Sequence, residues 1–138
     1  MRLAVIATGL WMLLALPAVV AAQPIQKSNS NAVWFENWIG LSQAMMRVAT
    51  PSGDISDVTS ASGSPVYQLK GGNNVDGIYR YELRATTKEM VKNRDYVKGG
   101  TNGNDAEFVP KALYITGSFK VERGVIVLPE ESEEESDG

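Results

Sequence analysis

Residues 78–86, Ile-Tyr-Arg-Tyr-Glu-Leu-Arg-Ala-Thr, alternate between two kinds of side chain. Tyr79, Tyr81, Leu83 and Ala85 share one parity, and Arg80, Glu82 and Arg84 share the other. Successive side chains of an extended chain point to opposite faces, so the spacing predicts a strand with one buried and one wet face. Such alternation belongs to antiparallel sheets, because parallel sheets are covered on both faces. The fold class is therefore expected to be all-β.

The flanking sequence extends this reading. Before the strand, GGNNVDG at 71–77 is a cluster of turn residues. Further back, VYQL, ISDVTSA and AMMRVAT read as short strands separated by Gly63-Ser64-Pro65 and by Pro51-Ser52-Gly53-Asp54. Proline and glycine stand where tight reversals need a fixed or a left-handed backbone. After the strand, 87–107 is polar and glycine-rich and reads as a long loop or an irregular hairpin. ALYITGSFKV and VIVLP then close the domain, with Arg123-Gly124 as a candidate hairpin turn between them. The stretch from Trp34 to Met45 fits two patterns. Trp34, Trp38, Leu41 and Met45 have helical spacing, whereas Phe35, Ile39 and Leu41 share a strand parity; β-branched and aromatic content and Gly40 favour the strand. Six or seven short strands at about ten-residue spacing fit a single antiparallel β-sandwich over 32–129.

Both ends have a different character. Residues 1–22 carry a basic Arg2, an apolar run from Leu3 to Leu16, a helix-breaking Pro17, and small side chains at Val20 and Ala22. This is the pattern of a cleaved secretory signal peptide rather than a membrane anchor, with no membrane span expected after cleavage. Residues 23–31 read as a flexible polar lead. Residues 130–138, EESEEESDG, hold six acids and no base, and read as a disordered tail serving solubility.

The chain contains no cysteine and no histidine. An exported domain without disulfides must be held by packing alone, and lipoprotein acylation has no thiol to use. Without histidine the usual general base and the commonest transition-metal ligand are missing. A glycosidase-type pair drawn from Glu36, Asp76 and Glu82 would need convergence that the sequence does not indicate. Asp54, Asp57 and Asp76, with Asn73 and Asn74, read as turn chemistry rather than a calcium site, for want of an alternating-Asp loop. No catalytic residue, metal or cofactor is expected. Arg80, Arg84, Lys88, Lys92, Arg94 and Lys98 follow no recognised nucleic-acid motif, so nucleic acid is not expected either.

The runs Val48–Ile55, Pro65–Leu69 and Asp76–Ala85, the last with its Asp-Gly-Ile-Tyr-Arg-Tyr strand, resemble bacterial extracellular Ig-like or fibronectin-III-like modules, such as the Ig-like module of the flagellar hook-scaffolding protein. The resemblance implies a structural or adhesive module in a bacterial periplasm or outside the cell. The expected partner is a protein or a second copy, met through strand edges and loops. A glycan platform of exposed aromatics is the alternative. Trp34, Trp38, Arg80, Glu82, Arg84, Asn102 and Asn104 are the candidate contact residues.

Overall fold

A computed structural model describes residues 23–71, 74–99 and 106–128. Among them the chain is all-β, without a helix, in eight strands: β1 (Ile25–Ser28), β2 (Ala32–Glu36), β3 (Ser42–Ala49), β4 (Ile55–Ser60), β5 (Tyr67–Gln68), β6 (Gly77–Lys92), β7 (Phe108–Glu122) and β8 (Val125–Val127). They form two antiparallel sheets, one ordered β1-β2-β5 and the other β4-β3-β6-β7-β8. The sheets face each other across one core, as in a β-sandwich.

That core follows from the alternation in β6. Tyr79, Tyr81, Leu83 and Ala85 are all buried. Beside them on the same sheet lie Met46 and Val48 of β3, Phe119 and Val121 of β7, and Ile126 of β8; Val33 and Phe35 of β2 close the core from the opposite sheet. Phe35 meets Tyr81 edge-on at 5.5 Å, and Tyr79 stacks on Phe119 at 5.1 Å. Each buried side chain of this size contributes roughly 1.5–3 kcal/mol by leaving water.

The expected turns at 51–54 and 123–124 are present. Thr50 N donates to Asp54 O at 2.9 Å, and Gly53 takes φ +92°. Arg123 and Gly124 both have positive φ, the conformation of a type I′ hairpin, whose twist matches that of the strands it joins. Asp76 fastens this turn from outside, its carboxylate accepting the amides of Arg123 and Gly124 at 2.9 and 3.0 Å.

Several expectations need correction. Among the described residues seven strands, β2 to β8, fall within 32–129 as expected, and β1 adds an eighth before them. Part of the 23–31 lead is β1, which pairs with β2 over Ile25–Ser28. The strand expected across 32–41 ends at Glu36: Asn37 turns to φ +56°, and Ile39 is left 79% exposed rather than sharing Phe35's buried face. The chain there is crossing from one sheet to the other. The irregular hairpin expected at 87–107 is much more ordered, because β6 and β7 stay paired out to Lys92 and Phe108, across a register shift between Thr86 and Met90. The signal peptide at 1–22 and the tail at 130–138 lie outside the described residues.

Candidate partner-contact surface

β6 is the central strand of the larger sheet, so its wet face is flanked on both sides. The cross-strand register places Asp57, Arg47, Glu82 and Thr116 in one row, with Thr59, Met45, Arg84 and Tyr114 in the next. Arg47 grips Asp57 through two parallel bonds of 2.8 and 2.9 Å. The pair holds the Asp57 carboxyl below its ordinary range and raises Arg47 further, since each charge favours the other's ionised form. Arg84 lies over the Tyr114 ring at 5.4 Å, a cation–π contact. Partial desolvation raises the Tyr114 hydroxyl, and the bond it donates to the Glu82 carboxylate adds to this. Arg80 lines a shallow concavity of about 650 Å³ with Arg47, Ala49, Ile55 and Glu82.

The structure brings together three of the candidate contact residues, Arg80, Glu82 and Arg84, and separates the others. Trp34 lies on β2 with its neighbours Val33 and Phe35 facing the core, so its own side chain takes the opposite face and is half-buried. Trp38 packs against the core beside Phe35, and its indole Nε1 is buried without a hydrogen-bond partner among the described residues. Asn102 and Asn104 lie outside the described residues. The carboxylates weighed as catalytic or metal-binding occupy separate places. Glu36 pairs with Lys27 on the smaller sheet, Glu82 stands on the outer face of the larger one, and Asp76 holds the β7–β8 turn. Asp54 accepts the Ser52 hydroxyl. Among the described residues no three His, Cys, Asp or Glu side chains gather where they could hold a metal ion.

Two features went unnoticed in the sequence. The first is Gly117, opposite Tyr81 in the ladder. A methyl group there would overlap the Tyr81 ring and hydroxyl, so the tyrosine crosses β7 only because position 117 has no side chain. Beyond the crossing, the Tyr81 hydroxyl donates to Gln26 Oε1 at 2.6 Å, and Gln26 Nε2 donates to Ser118 O at 3.2 Å. This latch ties β1 to the opposite sheet. Burial raises the Tyr81 hydroxyl above its ordinary value, so it stays a neutral donor.

The second is the far part of β6 and β7. Beyond Thr86 and Ala112 the two strands continue as a two-stranded ribbon with no buried residue. Phe108, Pro110, Ala112 and Tyr114 share one parity of β7 and are all exposed, whereas Thr116, Ser118, Lys120 and Glu122 on that same face are polar. Met90, opposite Pro110, and Phe108 are each 54% exposed, and Val97 beyond the strand is 66% exposed. A signal for this was available: both parities of 108–115 are predominantly apolar, which a strand with one solvated face does not require. No family model, curated protein or solved structure matches this chain significantly.

Proposed function

We propose that this chain is an exported, non-catalytic interaction module of fibronectin-III-like type, acting in a bacterial periplasm or outside the cell and holding its partner through the β6–β7 ribbon. The order β1-β2-β5 opposite β4-β3-β6-β7 supports the type assignment, being the three-plus-four arrangement of such modules with β8 added at one edge. So does Tyr79 at the start of β6, whose hydroxyl donates to Val75 O at 2.7 Å. This bond is similar to the tyrosine corner of Ig-like sandwiches, in which a tyrosine at the corresponding strand bonds back to the chain just upstream. The hairpin between β6 and β7 corresponds to one of the loops that immunoglobulin variable domains use for recognition.

One observation carries the contact role: a ribbon that continues past the core and bears exposed Met90, Phe108 and Pro110. Two strands alone are marginal in water, so this extension does little for folding. Exposed apolar groups on a projecting element mark a contact surface. The test is a photocrosslinking side chain placed at Phe108, at Met90 or, for comparison, at Asp57 on β4, in cells that export the protein. Adducts concentrated at 90 and 108 are expected. Adducts at 57 with none on the ribbon would overturn the reading.

A further inference from the structure

We infer that the ribbon's partner is a second copy of this chain, joined by antiparallel pairing of β7 with β7, an inference that rests on the ribbon being the contact element. The open edge of β7 carries it. On one side β7 pairs with β6 from Phe108 to Val121, but on the other β8 covers only Lys120–Glu122. Backbone groups of a strand turn alternately to its two neighbours. Glu122 and Val125 close the two-residue turn at Arg123-Gly124, so Glu122 turns its groups to β8. Ser118, Thr116, Tyr114 and Ala112 stand at even steps from it and turn theirs the same way, to the open edge. The bond from Gln26 Nε2 to Ser118 O agrees with this. Natural sheets guard such edges with charges or bulges. Residues 112–118, Ala-Leu-Tyr-Ile-Thr-Gly-Ser, carry no charge, and their pairing with β6 is regular.

A two-fold axis pairs this edge with itself, and charge and access choose the register. Edge-facing residues must meet edge-facing residues, so the possible registers differ by steps of two. Setting Phe108 against the partner's Ser118 would displace Gln26 from the Ser118 carbonyl. Setting Phe108 against the partner's Tyr114 would place Lys111 opposite the partner's Lys111, and like charges directly opposed are destabilising. The register between them sets Phe108 against the partner's Thr116 and avoids both. Ala112 then meets the partner's Ala112 at the axis, Pro110 meets the partner's Tyr114 on either side, and Lys111 meets the partner's Leu113. Pro110 has no N–H, so its pair exchanges one backbone bond instead of two. Its ring arrives beside a hollow of about 340 Å³ lined by Arg84, Ala112, Leu113 and Tyr114. The exposed stripe of Phe108, Pro110, Ala112 and Tyr114 thereby gains a neighbouring strand along its length. Two ribbons, each marginal alone, become one four-stranded sheet ordered β6-β7-β7-β6.

The experiment uses the chain from Gln23 to Gly138, which holds every described strand. Sedimentation velocity over a wide concentration range is expected to show a reversible monomer–dimer equilibrium. Ala112→Glu and Ala112→Lys each oppose two like charges at the axis, and each should raise the dissociation constant by at least about tenfold. Mixing the two variants should restore the dimer as a one-to-one heterodimer. Thr116→Pro removes an edge-facing N–H and leaves the ladder to β6 intact, so it should also yield monomer. Both positions are exposed, and unchanged thermal unfolding at low concentration verifies that each variant is folded. A parent that stays monomeric, an Ala112→Glu chain that dimerises like the parent, or a Glu–Lys mixture that stays monomeric would overturn the inference. With a crosslinker at Phe108, the expected adduct has the mass of two copies. A monomeric parent whose Phe108 crosslinker captures a different protein removes the self-pairing and leaves the ribbon reading standing. A monomeric parent with no ribbon adduct removes both.

Discussion

β6 and β7 run through two different environments, and the same pair of strands behaves differently in each. From Gly77 to Thr86, β6 has β2 opposite it, and every second side chain is buried. From Thr87 to Lys92 no side chain is buried, although Met90 and Val91 are apolar. The ladder continues regardless. Backbone pairing thus sets how far the strands extend, while the facing sheet decides where a core forms. The sandwich part is where stability resides, and the ribbon is surface that the fold can afford to expose.

The sharpest way to break this comparison is to damage the sandwich part. Leu83→Ala removes a fully buried side chain and should cost about 3 kcal/mol, read as a lower midpoint in urea. Gly117→Ala should cost about 2 kcal/mol, because the new methyl must displace the Tyr81 ring and strain the latch to Gln26. The two separate if Gln26→Ala lowers stability in the parent but adds little in the Gly117→Ala background. Tyr79→Phe deletes only the bond to Val75 and should cost about 1 kcal/mol.

Two smaller effects sharpen the contrast. The Asp76 carboxyl is held below its ordinary value of 3.8 by the Gly124 and Arg123 amides. Its ionised form is therefore favoured in the folded state. The resulting stabilisation is complete above about pH 5 and is lost as pH falls through the depressed value. The stability gap between parent and Asp76→Ala should accordingly be constant at neutral pH and narrow in acid; a gap that widens in acid would contradict this role. On the ribbon, Phe108→Ser should change stability by less than about 0.5 kcal/mol.

How much of this could be read beforehand depends on which force holds each segment. The face Tyr79, Tyr81, Leu83 and Ala85 was legible because burial imposes a period of two. The Pro51–Asp54 and Arg123-Gly124 turns were legible because few residues accept those backbone angles. β1 was not: Ile-Gln-Lys-Ser has little apolar content and is held by ladder bonds to β2, which leave no hydrophobic period, and by the Gln26–Tyr81 bond, whose partners lie 55 residues apart. The extension of β6 through Lys88 and Glu89 was hidden for the same reason, since ladder bonds leave no hydrophobic period. Of the candidate surface, Arg80, Glu82 and Arg84 could be placed by parity alone. Gly117 could not be found, because what makes it necessary is a tyrosine on the neighbouring strand. The exposed stripe at Phe108, Pro110 and Tyr114 was visible in principle as a strand apolar on both parities.

The division of labour between the sandwich and the ribbon is tested most directly by cutting the ribbon off. Thr86 pairs with Ala112, and the Thr87 hydroxyl donates to Lys111 O, so Thr87 and Lys111 can be joined through Asn-Gly in place of residues 88–110. The measurement is the thermal midpoint of this shortened chain. The account predicts a midpoint within a few degrees of the parent. A chain that fails to fold, or whose midpoint falls by tens of degrees, would contradict it.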